Sequence, residues 1–412
     1  MPTLDAACAA VRDAFPDPWA RAFSVKANDV AGVVRLVCER GFGANVVSRG
    51  EWAVATRAGV PNARITLEGV GKTDGDLRAA VRSAIDGDPI RWIAVESTDE
   101  ATALVRIAAR AGLDGTGHGR SRRRLDVLFR LNPEVQPETH HGLAVGAAAS
   151  KFGMTATELT EAVGIVGDAP GLEPRGIHLH VGSQLAAVDA WRDAVRRALA
   201  LLALVSGTRA RFDTLDVGGG FPIFPRNEPA PGPNRFAEEL PGLLDALPAD
   251  RRPARLAIEP GRALVARAGV LVARVLHVRE RGGTRQIILD TGMTEIIRPA
   301  LYDAWHEIQA LTSLGRPLDA RPSSHRGTTR IAEPGLEPAR VEGPICESTD
   351  HLGEHLLPPL RRGDLVAIRD AGAYAASLAS TYNGRPRPPQ VLARADGSLE
   401  VLRPRGRLAS MG

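Results

Sequence analysis

Lys26 closes the apolar run FSVKAN, a place where an unpaired ammonium is costly to bury. Such a lysine is either a rim residue whose amine reaches water or a Schiff-base lysine, an inward amine that joins a carbonyl. LDVGGGFP sets Gly218, Gly219 and Gly220 directly after another strand-like run. Consecutive glycines make a tight turn, or a loop that aims several backbone N–H groups at one anion. HLHVGSQ offers His180, whose flat imidazole can stack on an aromatic ring, and Ser183, whose hydroxyl can hold a phosphate oxygen. A lone histidine is more often structural, but this one stands among other polar strand ends. AIEPGRALVA carries Glu259, a carboxylate on an apolar strand end that needs a partner. Arg262 is one possible partner. A protonated pyridine nitrogen is another, and a carboxylate there turns the ring into an electron sink for a carbanion.

Further candidates fall in the second half of the chain. GPICESTD places Cys346 beside Glu347 and Asp350 in a polar turn, unlike a core cysteine, where a thiol can give a proton. DAGAYAASLASTYN carries Tyr374, and IIRPALYDAWH carries Arg298, Tyr302 and His306. Each of these motifs is only suggestive by itself.

The elements that must position these groups follow from the apolar pattern. FSVKA (23–27), ANVVS (44–48), ITLEG (65–69), IAVES (93–97), VLFRL (127–131), IHLHV (177–181), TLDVG (214–218) and LAIEP (256–260) read as strands. Segments such as DVAGVVRLVCERGF and VDAWRDAVRRALALLALVSG between them repeat apolar residues at helical spacing. Eight strand–helix units predict parallel strands closed into a (β/α)8 barrel over residues 1–265, with an open doubly wound sheet as the alternative. Polar residues and glycines at the C-terminal end of almost every run favour the barrel, because that rim is where barrels assemble their sites. From residue 266 to 412 the runs VLVARVLHV, RQIILD, DLVAIRD, QVLARA and LEVLR predict an antiparallel β domain. Residues 311–340, rich in Arg, Pro, Ser and Gly, predict a mobile surface insertion.

Composition excludes several classes. The chain has 412 residues, 44% of them hydrophobic and 24% charged, with a net charge of +4, as expected of a soluble protein with a full core. The basic run Arg120–Arg124 is short, and aromatic residues reach only 4%, so a nucleic-acid face is not supported. No apolar stretch approaches membrane-spanning length, and the start MPTLDAACAAVRDAF lacks the pattern of a secretory signal. Three cysteines make no disulfide framework, so a reducing cytoplasm is the expected location.

Taken together, the segments around Lys26, the glycine loop, EPGR, CES-D and GAY resemble the fold-type III pyridoxal-phosphate decarboxylases. That group includes ornithine, arginine and diaminopimelate decarboxylases. The resemblance runs from about residue 22 to about residue 393 and implies the alanine racemase-like arrangement of barrel plus β domain. It implies pyridoxal 5′-phosphate as cofactor, held as an aldimine by Lys26, with His180 stacked on the ring and Glu259 facing its nitrogen. It assigns Ser183, Gly218, Gly219, Gly220 and Gly261 to the phosphate, and Arg262 and Tyr374 to phosphate and substrate. It brings Cys346 from the second subunit of a homodimer, as proton donor to the carbanion. IIRPALYDAWH resembles the diaminopimelate branch, which implies that Arg298 and Tyr302 bind a distal carboxylate and Glu347 the distal ammonium. The implied reaction takes meso-2,6-diaminopimelate to L-lysine and CO2, the last step of lysine biosynthesis. Departures from the family pattern include Asn45, where an Asp is usual, and EPGRA, where the family has an EPGRS-like segment.

Alternative functions are decarboxylation of another amino acid or polyamine precursor, and a non-catalytic decarboxylase-like regulator. A racemase would set an arginine against the pyridine nitrogen, which Glu259 argues against. The regulator reading is weakened by the presence of Lys26, Glu259, Cys346 and Tyr374 together.

Overall fold

The computed structural model describes residues 2–116, 123–209, 211–225, 229–318 and 335–408. The chain divides into two compact units. One comprises residues 4–223 and 229–264, and the other is built mainly from Val265 onward.

The first unit is a closed barrel of parallel strands joined in chain order. They are β1 (Ala20–Ser24), β2 (Gly43–Val46), β3 (Ile65–Leu67), β4 (Trp92–Val95), β5 (Leu125–Leu131), β6 (Leu172–Leu179), β7 (Thr214–Asp216) and β8 (Arg255–Ile258). Closure is completed by β1 pairing with β8, Ala20 opposite Ala257. The expected barrel is therefore present, and the open sheet is not. Most strands end two or three residues before the apolar runs predict, the chain leaving the ladder while the apolar pattern still continues in several of them. Lys26 follows β1 in a 3-10 turn, Val25–Ala27, rather than lying within the strand.

Several of the helices between the strands begin where the sequence supplies a cap. Ser48 and Ser97 accept N–H bonds from the first turns of helices Arg49–Arg57 and Thr98–Ala111. Thr73–Asp76 and Thr155–Glu158 form reciprocal capping boxes. Each such cap is worth about 1 kcal/mol of helix stability. Helix Asp189–Ser206 buries Trp191, whose ring meets Phe236 edge-on at 5.5 Å, and Phe236 in turn meets Phe221 at 5.2 Å. This aromatic chain links the helix to Phe221, the residue that follows the glycine loop.

Inside the barrel, alternate residues face the axis. Ala20, Trp92, Ala94, Leu128 and Ala257 form an apolar layer. One step further toward the C-terminal rim the inward residues become polar: Asn45, Thr66, Glu68, Arg130, His178, Asp216 and Glu259, all buried.

The second unit has a six-stranded sheet made from β9 (Leu271–Arg281), β10 (Thr284–Leu289), β11 (Ile308–Ala310), β14 (Glu337–Glu342), β15 (His351–Leu357) and β16 (Leu365–Ile368). Its order is β11-β16-β9-β10-β14-β15, and its pairs are antiparallel except for the parallel β10–β14 pair. Val275, Ile287, Leu289, Val341, Val366 and Ile368 form its dry core. Short hairpins pair β12 (Thr312–Ser313) with β13 (Arg316–Pro317) and β17 (Gln390–Ala393) with β18 (Leu399–Arg403).

The expected insertion at 311–340 needs correction at its flanks, which are strands. Asp364 draws the β12–β13 hairpin in by accepting from Thr312 Oγ1 at 2.9 Å and from Gly315 N–H at 2.7 Å. Its central part, 319–334, lies outside the described residues, as does most of the basic run at 120–124. Arg124 itself pairs with Asp126 at 3.2 Å and Glu173 at 3.5 Å. Among the described residues, no helix is long and apolar enough to cross a membrane.

Candidate active site

The barrel rim gathers the chemistry-bearing residues because each lies at or just past the end of a different strand. The Lys26 turn is tied to the end of β8: Ser24 N–H donates to the Pro260 carbonyl at 3.2 Å. A Cβ on Gly261 would stand 3.0 Å from Ser24 Cβ and 3.2 Å from Ala27 Cβ, so a glycine there lets the two segments touch. The positive charge of Lys26 contributes to lowering the pKa of both His178 and His180.

His180 is partly exposed, and its Nδ1 accepts the Gly219 N–H at 3.2 Å, which leaves the proton on Nε2. Burial, with Lys26 and Arg130 nearby, pushes its pKa well below the ordinary value, so the ring is neutral at pH 7. Gly218 has φ +68°, and a Cβ there would stand 2.4 Å from the Leu179 carbonyl. Only glycine turns here without clash. The Gly218 N–H is held by Asp216 Oδ1 at 2.9 Å. The HVGSQ loop lies against this turn: Gln184 brackets the Ile223 backbone, accepting from its N–H at 2.7 Å and donating to its carbonyl at 2.8 Å. Ser183 Oγ accepts from Arg262 Nη2 at 3.0 Å, and Arg262 is 6% exposed. The structure thus joins Ser183 and Arg262, the two side chains expected at one anion. Glu259 is hydrogen-bonded to another residue, Asn45.

Glu259 instead sits in a buried polar cluster below the rim. Its Oε1 accepts from Asn45 Nδ2 at 2.8 Å, and Asn45 also donates to Thr66 Oγ1 at 3.2 Å. An ionised aspartate at position 45 could not donate to Glu259, so the amide found there orients this carboxylate and adds no charge. Glu68 and His178 complete the cluster, with ligand-type atoms of Glu68, His178 and Glu259 all within 4.8 Å of one another. His178 Nε2 lies 3.1 Å from Glu68 Oε2 and 3.5 Å from Glu259 Oε1, yet neither ring nitrogen has a hydrogen-bond partner among the described residues. Burial, together with Arg130, lowers the His178 pKa to about 4. Burial and the neighbouring Glu259 push Glu68 up to about 8. Burial, with Glu259 and Glu68 close by, raises Asp216 well above the carboxylate range. Beside this cluster Arg130 pairs with Glu96, whose other oxygen accepts from Gly153 N–H at 3.0 Å.

Sequence reasoning singled out Glu259 but missed Glu68, His178, Asp216 and Arg130. The signal was available: each is a charged or polar side chain inside an apolar strand, at the same alternate parity as Glu259.

The remaining candidates belong to the β unit. Arg298 opens helix Arg298–Tyr302 and is buried; its Nη1 donates to His306 Nε2 at 2.8 Å, and His306 Nδ1 lies 2.9 Å from the Arg369 carbonyl. That chain fixes the imidazole tautomer and one edge of the guanidinium. Tyr302 ends the same helix and is half-buried. Cys346 and Glu347 are exposed. Asp350 shapes the loop that carries them, accepting from Met293 N–H at 2.6 Å and Ile345 N–H at 2.7 Å. Asn383 Nδ2 donates to Cys346 Sγ at 3.1 Å, and Tyr382 OH donates to Glu347 Oε1 at 2.6 Å. These partners lie in the STYNG segment, which sequence reasoning quoted without assigning them. Tyr374 holds a left-handed backbone, φ +57°, a conformation that costs a non-glycine residue of order 1 kcal/mol and gathers at ligand sites.

A parallel barrel with an amine, a carboxylate, a neutral imidazole and a glycine turn on its C-terminal rim defines a carbonyl-cofactor enzyme, and comparison with known proteins gives the class. Residues 2–266 match the family described as "Pyridoxal-dependent decarboxylase, pyridoxal binding domain". The chain belongs to this family of pyridoxal-phosphate-dependent carboxy-lyases, and its cofactor is pyridoxal 5′-phosphate. Among its relatives are the diaminopimelate decarboxylase of Aquifex aeolicus, 34% identical over 96% of this chain and 85% of that protein, and that of Pseudomonas aeruginosa, 34% identical over 92% and 83%. The crystal structure of Helicobacter pylori diaminopimelate decarboxylase complexed with L-lysine matches with a TM-score of 0.85 and 29% identity, covering 100% of this chain and 93% of that one.

The residues present fit pyridoxal phosphate. Neutral His178, with orphaned nitrogens, and the Asn45–Glu259 pair form a dry pocket floor able to take a protonated ring nitrogen. The glycine turn with Ser183–Arg262 supplies donors for a phosphate.

Proposed function

We propose that this chain removes one carboxylate from meso-2,6-diaminopimelate to leave L-lysine and CO2, with Lys26 as the amine that holds pyridoxal phosphate. The observation that carries the reading is the similarity of nearly the whole chain to proteins named diaminopimelate decarboxylase. When bound, the cofactor supplies a protonated ring that takes up the electron pair left by the departing carboxylate.

The chain's own residues do the rest. Glu259, oriented by Asn45, accepts the ring N–H and keeps it protonated. His180 presents a neutral, flat face to the ring. Ser183, Gly218, Gly219, Gly220, Gly261 and Arg262 hold the phosphate, and Tyr374 serves phosphate and substrate. Arg298 takes the distal carboxylate of the substrate in two-point geometry, with its plane set by His306, and Tyr302 and Glu347 complete that end. Cys346, positioned by Asn383, gives a proton to the carbon that has lost CO2. We further propose that residues 1–265 are the cofactor-binding domain and 266–412 the β domain. In this reading the enzyme works in the cytoplasm as a homodimer, with Cys346 of one subunit serving the barrel of the other. Three free cysteines support the location. Mixing Lys26→Ala and Cys346→Ala chains tests the shared site: turnover returns in the mixture if each subunit completes the other, and stays absent if it does not.

Assaying lysine and CO2 after adding pyridoxal phosphate and meso-diaminopimelate tests the function, with ornithine, arginine and a carboxylated polyamine precursor as competing substrates. Preference for any of these three would overturn the substrate assignment. Cys346→Ala is expected to lose roughly 10²–10⁴-fold in kcat while keeping the cofactor's absorbance, the size of a lost general acid. Normal turnover in that variant would remove the thiol from the mechanism. Arg298→Ala leaves a substrate carboxylate unpaired, which costs about 2–5 kcal/mol. The KM for diaminopimelate therefore rises roughly 30-fold or more, and an unchanged KM would exclude the distal-carboxylate contact.

A further inference from the structure

The buried cluster beneath the cofactor floor holds more carboxylates than one ring nitrogen can neutralise. Glu68 is 3% exposed and Glu259 4% exposed, and both lie inside the barrel. A carboxylate oxygen of each lies within 4.8 Å of one from the other. Every strand packed around Glu68 brings a group to bear. Asn45 from β2 donates to Glu259, and Trp92 Nε1 from β4 donates to Glu68 Oε1 at 3.4 Å. His178 from β6 faces both acids, Asp216 from β7 adds a further acid, and Thr66 lies in β3, two residues before Glu68. Lys26, Glu96 and Arg130 act on the cluster through His178.

His178 does not supply the missing positive charge, because burial holds it neutral at pH 7. The Glu68–His178 contact at 3.1 Å therefore sets a neutral imidazole beside the acid. Two adjacent carboxylates in a dry core cannot both ionise without a large penalty.

We propose that Glu68 is a positioning acid, holding one proton between itself and Glu259 so that the pair meets the cofactor's ring nitrogen with a single negative charge. The proposal rests on the assignment of Glu259 to that nitrogen and adds a residue for which the family resemblance supplies no role. Glu68 acts through Glu259: its O–H donates to one carboxylate oxygen while Asn45 donates to Oε1, leaving the remaining lone pairs for the ring N–H. Protonated Glu68 gives the site a charge that one pyridinium balances.

The proton makes Glu68 visible without turnover. In infrared spectra of the full-length chain prepared without cofactor, one carboxylic-acid carbonyl band is expected to vanish as the pH passes about 8. The same band is expected to be missing from Glu68→Gln at every pH, whereas the band of Asp216 remains there and is lost in Asp216→Asn. Stability follows the same proton. The folded chain holds it up to about pH 8, whereas an unfolded chain releases it near the ordinary carboxylate value of 4.5, so the wild type loses stability as pH rises across that window. Glu68→Gln lacks this loss, and its melting temperature rises relative to wild type from the acid to the alkaline end. Pyridoxal phosphate affinity separates positioning from mere packing. Glu68→Gln, which still donates to Glu259, keeps the affinity within about twofold, and Glu68→Leu weakens it roughly tenfold or more. A full set of acid bands in Glu68→Gln, or a loss of affinity as large as in Glu68→Leu, would overturn the shared proton. A band that vanishes as expected in a chain that binds no pyridoxal phosphate would instead overturn the cofactor assignment, and the ring-nitrogen half of the proposal with it.

Discussion

Lys26→Ala is expected to lose turnover by roughly 10⁴-fold or more, the scale seen when an enzyme loses its covalent nucleophile, and to lose the visible absorbance of bound cofactor. The physical case is local. β1 ends at Ser24, and the chain turns at once through Val25–Ala27, so the amine leaves the sheet at the rim. That turn is fastened to β8 through Ser24 and Pro260 and packed against Gly261, which fixes its position relative to Glu259. Alanine keeps the turn and its packing, so the melting temperature of the cofactor-free chain should shift little. The defect is chemical. Of the other described lysines, Lys72 is engaged with Glu100 at 3.1 Å, and Lys151 is exposed, its amine 5.3 Å from the centre of the Phe152 ring. A variant that keeps both turnover and absorbance would show that the amine is a rim lysine with no covalent role.

Glu259→Gln carries the next largest effect, a fall in kcat of roughly 10²–10³-fold, comparable to removing one preorganised electrostatic partner. The amide has the shape of the acid but not its charge, and it cannot keep a pyridine nitrogen protonated. The cluster is not expected to suffer, because it already holds more acids than it can ionise; Glu68 and Asp216 are both pushed upward by burial and by Glu259. Removing one carboxylate relieves that repulsion, so the melting temperature holds or rises while catalysis falls. A variant with normal kcat would contradict the ring-nitrogen role, and one that unfolds would make Glu259 a structural residue.

The barrel was legible in the sequence because its signal is repeated. Apolar runs ending in Lys26, Gly218 or Glu259 alternate with one-sided helices, and closure follows from their number and spacing. Strand ends were less legible, since Val25, Val181 and Val217 continue the apolar pattern after the ladder has stopped. The parallel β10–β14 pair was hidden for another reason. Strand pattern reports burial and not pairing direction, and the chain between those strands includes residues outside the described set. Individual rim residues were readable where type and motif coincide, as at Ser183 and Arg262, which the structure joins. The inner cluster was not, because Glu68, His178 and Asp216 come from β3, β6 and β7 and meet only when the barrel closes. Asn45 looked in sequence like a departure from an acidic pattern. In the fold it is the hydrogen-bond donor that orients Glu259.

The covalent attachment of cofactor at the rim can be read directly. The holoprotein is reduced with borohydride and digested, and its peptides are weighed by mass spectrometry. A pyridoxyl group fixed on the Nζ of Lys26, in the peptide containing FSVKAN, is the predicted result. A pyridoxyl group on any other lysine, or none at all in a chain that turns over substrate, would contradict the site described.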